Sequence, residues 1–328
     1  MRAMILAAGY GTRLWPLTLD RAKPALPFMG RPLVGYVAEY LARNGCDEII
    51  VNLHHRPESV RAALDDGRAF GVRLSYIEEP EILGTSGAID NARAYLEGDT
   101  FIVVNGKIAT DIDLGAALET HRRERALATL VLRPNPARER YSIVEVENNL
   151  VKEFGVFPPP APAATERDDA PLMFTGIQIF EPRIFEYIPQ GQPSDSVPHV
   201  FRPAIARGER IAAHVATGMW HELSTIQRYR DISLSLMRQK GQDVQSGANS
   251  IIEPGADVRE AILWENVRVE TGARVRRAIL GAGVRIRQGE VVEDAAVVRA
   301  ELIGREERPA KALAGEVRGD NFVVPLAQ

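Results

Sequence analysis

Residues 6–33 read LAAGYGTRLWPLTLDRAKPALPFMGRPL. An apolar run ends at Ala8 and meets Gly9 and Gly11, then Thr12 and Arg13; Lys23 follows, immediately before Pro24. In α/β sheets the carboxyl end of a strand is where ligands sit. Glycines at such an end let backbone N–H groups approach a phosphate. An arginine and a lysine flanking the turn suit a polyphosphate whose charge grows in the transition state. The spacing is not a dinucleotide fingerprint, which needs a third Gly opening a helix, nor a Walker loop, since no Gly-Lys-Ser/Thr follows. A Gly-x-Gly turn by itself would indicate no more than a tight turn with solvated basic side chains.

Working outward, strand-like runs recur at 48–55 (EIIVNLHH), 72–79 (VRLSYIEE), 100–106 (TFIVVNG) and 126–134 (ALATLVLRP). Helical stretches fall between them at 57–67, 85–96 and 114–125. This interleaving predicts βαβ units in a doubly wound, mainly parallel α/β sheet. Gly9, Glu78 and Asn105 then stand at strand ends. PPPAPAATERDDAP (158–171) reads as a surface loop, LMFTGIQIF (172–180) as a return to strand, and 225–240 as a helix leading away.

The tail repeats. Three aligned lines, 252–268, 269–285 and 286–302, place Gly255, Gly272 and Gly289 in register, and likewise Ile252, Val269 and Ile286, at a period of 17 residues. One such coil cannot bury its apolar face alone, so the three predict a stacked solenoid. Short aliphatic runs with Gly turns favour a β-helix, with 306–320 as its cap, since an open end needs covering or oligomerises. Trp264, in the first coil, is expected to pack on the preceding domain or on a partner subunit.

The chain has 328 residues, a length that suggests two domains, and a net charge of −4. Without a basic face, no nucleic-acid partner is expected. A single cysteine, Cys46, excludes an internal disulfide and a Cys-rich zinc site and suits the cytoplasm. No apolar run has membrane-spanning length, so no membrane partner is expected. Cys46 reads as a small buried hydrophobe. His54 and His55 project to opposite faces of a strand and cannot easily share a metal.

The stretch VVNGKIATDID (103–113) is a buried strand, a Gly turn, Lys107, and then Asp111 and Asp113. Lys107 occupies a place where phosphate and metal chemistry is expected.

The run from Leu6 to Thr18, with Lys23-Pro24, closely resembles the signature of the nucleoside-diphosphate-sugar pyrophosphorylases, the sugar-1-phosphate nucleotidyltransferases. Further blocks agree in order: VNLHH (51–55), EPEILGTSGAI (79–89), Asn105-Gly106, FTGIQIF (174–180) and GMWHELSTIQRY (218–229). A C-terminal β-helix is common there, notably among mannose-1-phosphate guanylyltransferases. The resemblance implies a Rossmann-like nucleotidyltransferase domain over 1–240, a left-handed β-helix over 250–305 and a cap or tail over 306–328. It implies attack by a sugar 1-phosphate on the α-phosphorus of a nucleoside triphosphate, with pyrophosphate released. Ala8, Gly9, Gly11 and Thr12 would cradle the nucleotide; Arg13 and Lys23 would neutralise phosphate. Glu78 or Glu79, with Gly84 and Thr85, would line the base pocket. Asn105, Gly106, Thr175 and Gly176 would line the sugar site. Mg²⁺ would be the cofactor, and a homo-oligomer the assembly.

Three blocks depart from the pattern, and all touch the metal or the sugar phosphate. The family's Asn-Gly-Asp, whose Asp holds Mg²⁺, ends here in Lys107. The second metal-side Asp is Glu222, beside His221. The Glu-Lys-Pro block has no clear counterpart near 151–160, where Lys152 is the nearest lysine. Since Mg²⁺ wants carboxylate oxygens, Lys107 either replaces part of the metal's role as a point charge, with Asp111 or Asp113 and Glu222 re-forming a displaced site, or marks a sugar-nucleotide-binding regulatory subunit. A third alternative turns Lys107 to solvent. GTP with mannose 1-phosphate is the first expectation, and UTP or dTTP with glucose 1-phosphate the second.

Overall fold

The computed structural model describes residues 1–157 and 170–326; most of the expected loop at 158–171 lies outside them. The chain divides into two compact units. One comprises Met1–Ala8, Gly35–Pro57 and Leu64–Trp220, the other Gly9–Val34, Glu58–Ala63 and His221–Gln328. Among the described residues no helix is long and apolar enough to cross a membrane.

The first unit is built on nine strands: β1 (Arg2–Leu6), β2 (Glu48–Leu53), β3 (Arg73–Glu78), β4 (Phe101–Asn105), β5 (Ala128–Pro134), β6 (Val144–Glu147), β7 (Leu150–Phe154), β8 (Leu172–Phe180) and β9 (Ile211–Val215). Their order across the sheet is β3-β2-β1-β4-β8-β5-β9-β7-β6. Ala3, Met4 and Ile5 are fully buried, as a central strand covered on both faces must be, and this is why AMIL reads as an unbroken apolar run. Pairs β1–β2, β1–β4, β2–β3 and β5–β9 are parallel. Pairs β4–β8, β8–β5, β9–β7 and β7–β6 are antiparallel. The sheet is therefore mixed, with the parallel expectation holding for its first half. The second half departs because β8 runs against both of its neighbours and β6 and β7 form a hairpin, and antiparallel strands need no crossover helix. In the core Phe101 packs at a tilt against Phe180 at 5.4 Å, and Phe154 stacks on Phe201 at 5.9 Å, between ring centroids.

On the helix Leu114–Glu124, Asp113 caps the first turn by accepting from Ala116 N at 3.1 Å. His121, on the same helix, is buried between Thr129 Oγ1 at 2.8 Å and Glu181 Oε1 at 3.0 Å. Burial lowers its pKa, against the opposing pull of Glu181. Cys46 is buried and its thiol is pushed up to about 11 by that burial, as expected of an inert small hydrophobe.

In the second unit the 17-residue period becomes the register between coils: Val258 lies beside Val275, and Ile252 beside Val269 beside Ile286, all in parallel. The stack begins one coil before the first repeat line, because Val244 pairs Ala261 in the same register. Its inner face is a continuous column that includes Val269, Val275, Ile286 and Val292. Outside, the period repeats as charge: Glu253 accepts from Arg268 at 2.7 Å, and Glu270 pairs Arg285 one coil on. Asn321–Pro325 lies antiparallel on Ala295–Arg299, with Glu316–Arg318 folded beside it as a hairpin. The helix Ile226–Gln239 starts at Thr225, whose hydroxyl accepts from Arg228 N at 3.2 Å. Its Arg230 is 2% exposed and bonds Asp294 of the third coil at 3.0 Å.

Candidate functional site

In the second unit the Gly loop closes on Lys23. Gly11 has φ 66° and ψ 26°, the left-handed region that glycine enters at little cost, and heads the single 3₁₀ turn Thr12–Leu14, with Leu14 N donating to its carbonyl at 2.8 Å. A Cβ placed on Gly11 would lie 2.9 Å from Lys23 Cβ and 3.1 Å from Thr18 Cγ2. Gly11 is thus required twice, by its φ and by the approach of Lys23. Nothing would meet a Cβ on Gly9 within 4 Å, so that glycine leaves its backbone open to an incoming group. Arg13 is exposed and Lys23 half-buried at the start of a second 3₁₀ turn, Lys23–Ala25. Ala22 N, just before it, donates to Ser59 Oγ at 2.8 Å. Two cations and a glycine turn with exposed backbone therefore share one unit, an arrangement suited to a polyphosphate.

In the first unit the ends of β1, β2 and β3 are tied by a buried polar hub absent from the sequence expectations. Asn52, 2% exposed, accepts from Ala7 N at 2.8 Å and donates to Glu79 Oε1 at 2.6 Å. The other Glu79 oxygen accepts from Leu83 N at 3.0 Å, and His54 Nδ1 bonds Glu79 O at 2.8 Å. Glu79, 3% exposed, thus serves the scaffold at these strand ends, whereas Glu78 is exposed at the end of β3. Ala8, at the end of β1, accepts from His55 N.

The loop then enters the helix Gly84–Asn91. Gly84 (φ 74°) would place a Cβ 2.6 Å from Ser194 O. Ser194 O caps Ser86 N and Gly87 N at 3.0 and 3.1 Å, and Thr85 Oγ1 accepts from Ser196 N at 2.8 Å. The amides of this helix start are therefore occupied within the protein. Asn105 and Gly176 touch: a Cβ on Gly176 would fall 2.1 Å from Asn105 Nδ2. Thr175, 1% exposed, donates its hydroxyl to Val131 O at 2.7 Å and accepts at its carbonyl from Trp220 Nε1 at 3.0 Å. It builds the wall behind Gly176 with its polar atoms turned inward.

Lys107 is half-buried in the turn between β4 and the short strand Ile108–Thr110. Gly106 presses this turn onto β1, its N–H donating to Leu6 O at 2.9 Å. The carboxylates expected to re-form a metal site are otherwise engaged. Asp111 accepts from Met219 N at 2.5 Å, and Asp113 is the helix cap already described. Glu222 is buried in the second unit. Lys152 pairs with Glu147 at 2.9 Å on the exposed β6–β7 hairpin. Among the described residues no three His, Cys, Asp or Glu converge as metal ligands. With an ammonium in place of one carboxylate and both neighbouring aspartates engaged, this donor set does not fit a Mg²⁺ held by protein oxygens.

Residues 2–239 match the Nucleotidyl transferase family, and residues 241–301 match the GlmU-like C-terminal hexapeptide region. Enzymes of the former generally use a divalent metal, and the carboxylate positions are where this chain is altered. The N-acetylmuramate alpha-1-phosphate uridylyltransferase of Neisseria meningitidis is 34% identical over 70% of this chain and 96% of its own length. The UTP–glucose-1-phosphate uridylyltransferase of Synechocystis is 29% identical over 82% and 72%, respectively. The mannose-1-phosphate guanylyltransferase of Mycobacterium tuberculosis is 32% identical over 72% of this chain and 64% of its own. Among solved structures, HddC from Yersinia pseudotuberculosis superposes with a TM-score of 0.61 over 72% of this chain and 99% of its own, at 23% identity, which speaks for the fold. With the family matched over most of its length, the chain belongs to the nucleotidyl transferases.

Proposed function

We propose that the protein transfers a nucleotidyl group from a nucleoside triphosphate to a sugar 1-phosphate. An oxygen of the sugar phosphate attacks the α-phosphorus; the bond from that phosphorus to the bridging oxygen breaks, and pyrophosphate leaves. Such transfer depends on alignment and charge neutralisation more than on covalent help. The observation that carries this reading is the close approach of Lys23 to Gly11, which brings one cation against the glycine turn that Arg13 follows in sequence. In this reading Ala8, Gly9, Gly11 and Thr12 cradle the triphosphate, and Arg13 and Lys23 neutralise it. Glu78, with Gly84 and Thr85, lines the base pocket over the Asn52–Glu79 hub. Asn105, Gly106 and Gly176 receive the sugar, backed by Thr175. Lys107 supplies positive charge at the phosphate as a fixed ammonium. GTP with mannose 1-phosphate is our first choice, in line with the M. tuberculosis relative and the β-helix; UTP or dTTP with glucose 1-phosphate is second. The assembly we expect is a cytoplasmic homo-oligomer, with no nucleic-acid or membrane partner.

Lys107 also favours a second reading, a sugar-nucleotide-binding subunit with regulatory function and little turnover. Pyrophosphate release separates the two. GTP, UTP, dTTP, ATP and CTP are crossed with mannose, glucose, N-acetylglucosamine and N-acetylmuramate 1-phosphates, with Mg²⁺ and with EDTA, for the wild type and Lys107→Asp. Turnover by the wild type supports the enzyme, and turnover surviving EDTA assigns the charge to Lys107. A silent wild type beside a Mg²⁺-dependent Lys107→Asp variant supports the subunit. Silence from both, with no nucleotide bound, refutes both readings.

A further inference from the structure

The short segment that carries Lys23 is tied at both ends to Trp264 and its neighbours: directly by Glu265 beside it in the β-helix, and through Tyr229 of the helix Ile226–Gln239. Two positions before Lys23, the Arg21 guanidinium bonds both carboxylate oxygens of Glu265 and both of Asp20. It lies 4.8 Å above the centroid of the Trp264 ring. Burial opposes its charge, and the bonds to Glu265 and Asp20 outweigh burial and raise its pKa. Four positions after Lys23, Pro27 O accepts from the Tyr229 hydroxyl, which in turn accepts from Trp264 Nε1 at 2.9 Å. Trp264 is 1% exposed and is among the largest fully buried side chains of the protein. One indole thus supports both ends of the segment, by its face toward Arg21 and by its N–H toward Pro27.

A cavity of about 440 Å³ runs alongside, lined by Asp20, Arg21, Ala25 and Pro27 on one wall and by Leu263 and Trp264 on the other. The segment itself is packed through Ala22, Leu26 and Phe28, all buried, and the bonds to Glu265 and Tyr229 fix its two ends beside the cavity.

We propose that Trp264, Glu265 and Tyr229 are positioning residues of the transfer reaction, and that the β-helix holds Lys23 where it meets the phosphates. This rests on the reading of Lys23 as a phosphate-binding group. A displacement of about 1 Å at a reacting group costs up to about 100-fold in rate.

The test uses the full chain and the substrate pair selected by the pyrophosphate panel. Tyr229→Phe removes the relay hydroxyl, Trp264→Phe removes the N–H while keeping a ring under Arg21, and Glu265→Gln removes the charge. Each is made in the wild type and in Lys23→Gln, with kcat, KM, the Kd of the triphosphate by titration, and the melting transition recorded. The expected result is an intact cooperative melt, a fall of about 10- to 100-fold in kcat or triphosphate affinity, and less than a threefold further fall when Lys23 is already gone. The Kd cycle keeps the test decisive where turnover is too slow to measure. Equal losses with and without Lys23 overturn the proposal, as does an unchanged kcat and Kd in all three variants. If Lys23→Gln alone binds and reacts like the wild type, the reading of Lys23 itself fails and takes the proposal with it.

Discussion

Replacing Asn52 separates a structural hub from a passive buried amide. Asn52→Ala strands the Ala7 N–H, which has Asn52 Oδ1 as its acceptor at 2.8 Å, and deprives Glu79 Oε1 of a donor at 2.6 Å. An unsatisfied buried amide costs about 1–3 kcal/mol, and a lost hydrogen bond to a charged group costs about 1.5–3 kcal/mol. The expected destabilisation is therefore about 3–5 kcal/mol, a large fraction of a stability of about 5–15 kcal/mol. With slopes of about 1–3 kcal/mol per molar urea, the unfolding midpoint should drop by at least about 1 M. Asn52→Asp sharpens the test. The new carboxylate can still accept from Ala7 N, but it faces Glu79 and repels it. One of the two then protonates at a higher pH in the folded chain than in the unfolded one, so the Asp variant's deficit is largest at pH 8 and shrinks as the pH falls through that raised value. Urea titrations at pH 8 and pH 5 measure both effects. A midpoint shift below about 0.3 M for Asn52→Ala, against that slope, would refute the account. So would an Asn52→Asp deficit that does not change with pH.

Gly11→Ala forces a side chain into the left-handed region, at a cost of about 1–2 kcal/mol, and drives its Cβ against Lys23. We expect a lowered melting transition and weakened triphosphate binding, whereas Gly9→Ala, which meets no protein atom within 4 Å, should leave the melting transition of the unliganded protein nearly unchanged; equal losses of stability at the two glycines would contradict the geometry. His121 predicts an acid limb of stability. Its folded pKa lies below the ordinary 6.5 because of burial. Below pH 6.5 the unfolded chain therefore takes up a proton that the folded chain refuses, and stability falls with pH by up to about 1.4 kcal/mol per unit. His121→Gln should flatten that limb between pH 6.5 and 5.5 in pH-dependent urea titrations; an unchanged slope would assign it elsewhere.

Much of the molecule follows from local pattern. The interleaved apolar runs and helical stretches specify the α/β unit, and the strand at Ala3–Ile5 is legible because a two-faced burial demands an unbroken apolar run. The tail is legible for a different reason: each coil repeats the environment of the one before, so the 17-residue period of the sequence is the inter-coil register of the structure. The antiparallel half of the sheet was less accessible, since a strand's own composition does not say in which direction its neighbours run.

The candidate site divides in the same way. Gly11 and Lys23 lie in one short stretch with a recognisable order, and residues 6–33 alone bring them to notice. Asn52 and Glu79 are 27 positions apart, Tyr229 and Pro27 are 202, and Arg21 and Glu265 are 244. A hydrogen bond across such an interval imposes no periodicity on the chain, so neither partner is marked by its neighbours. The sequence by itself determined the strand-turn signature, the repeat and the presence of Lys107 where a carboxylate is expected. Only tertiary structure decided that Glu79 belongs to the scaffold, that Thr175 turns its hydroxyl inward, and that one tryptophan of the β-helix braces both ends of the segment bearing Lys23. Burial and hydrogen-bond partnership are properties of surroundings, and the surroundings exist only once distant parts of the chain have met.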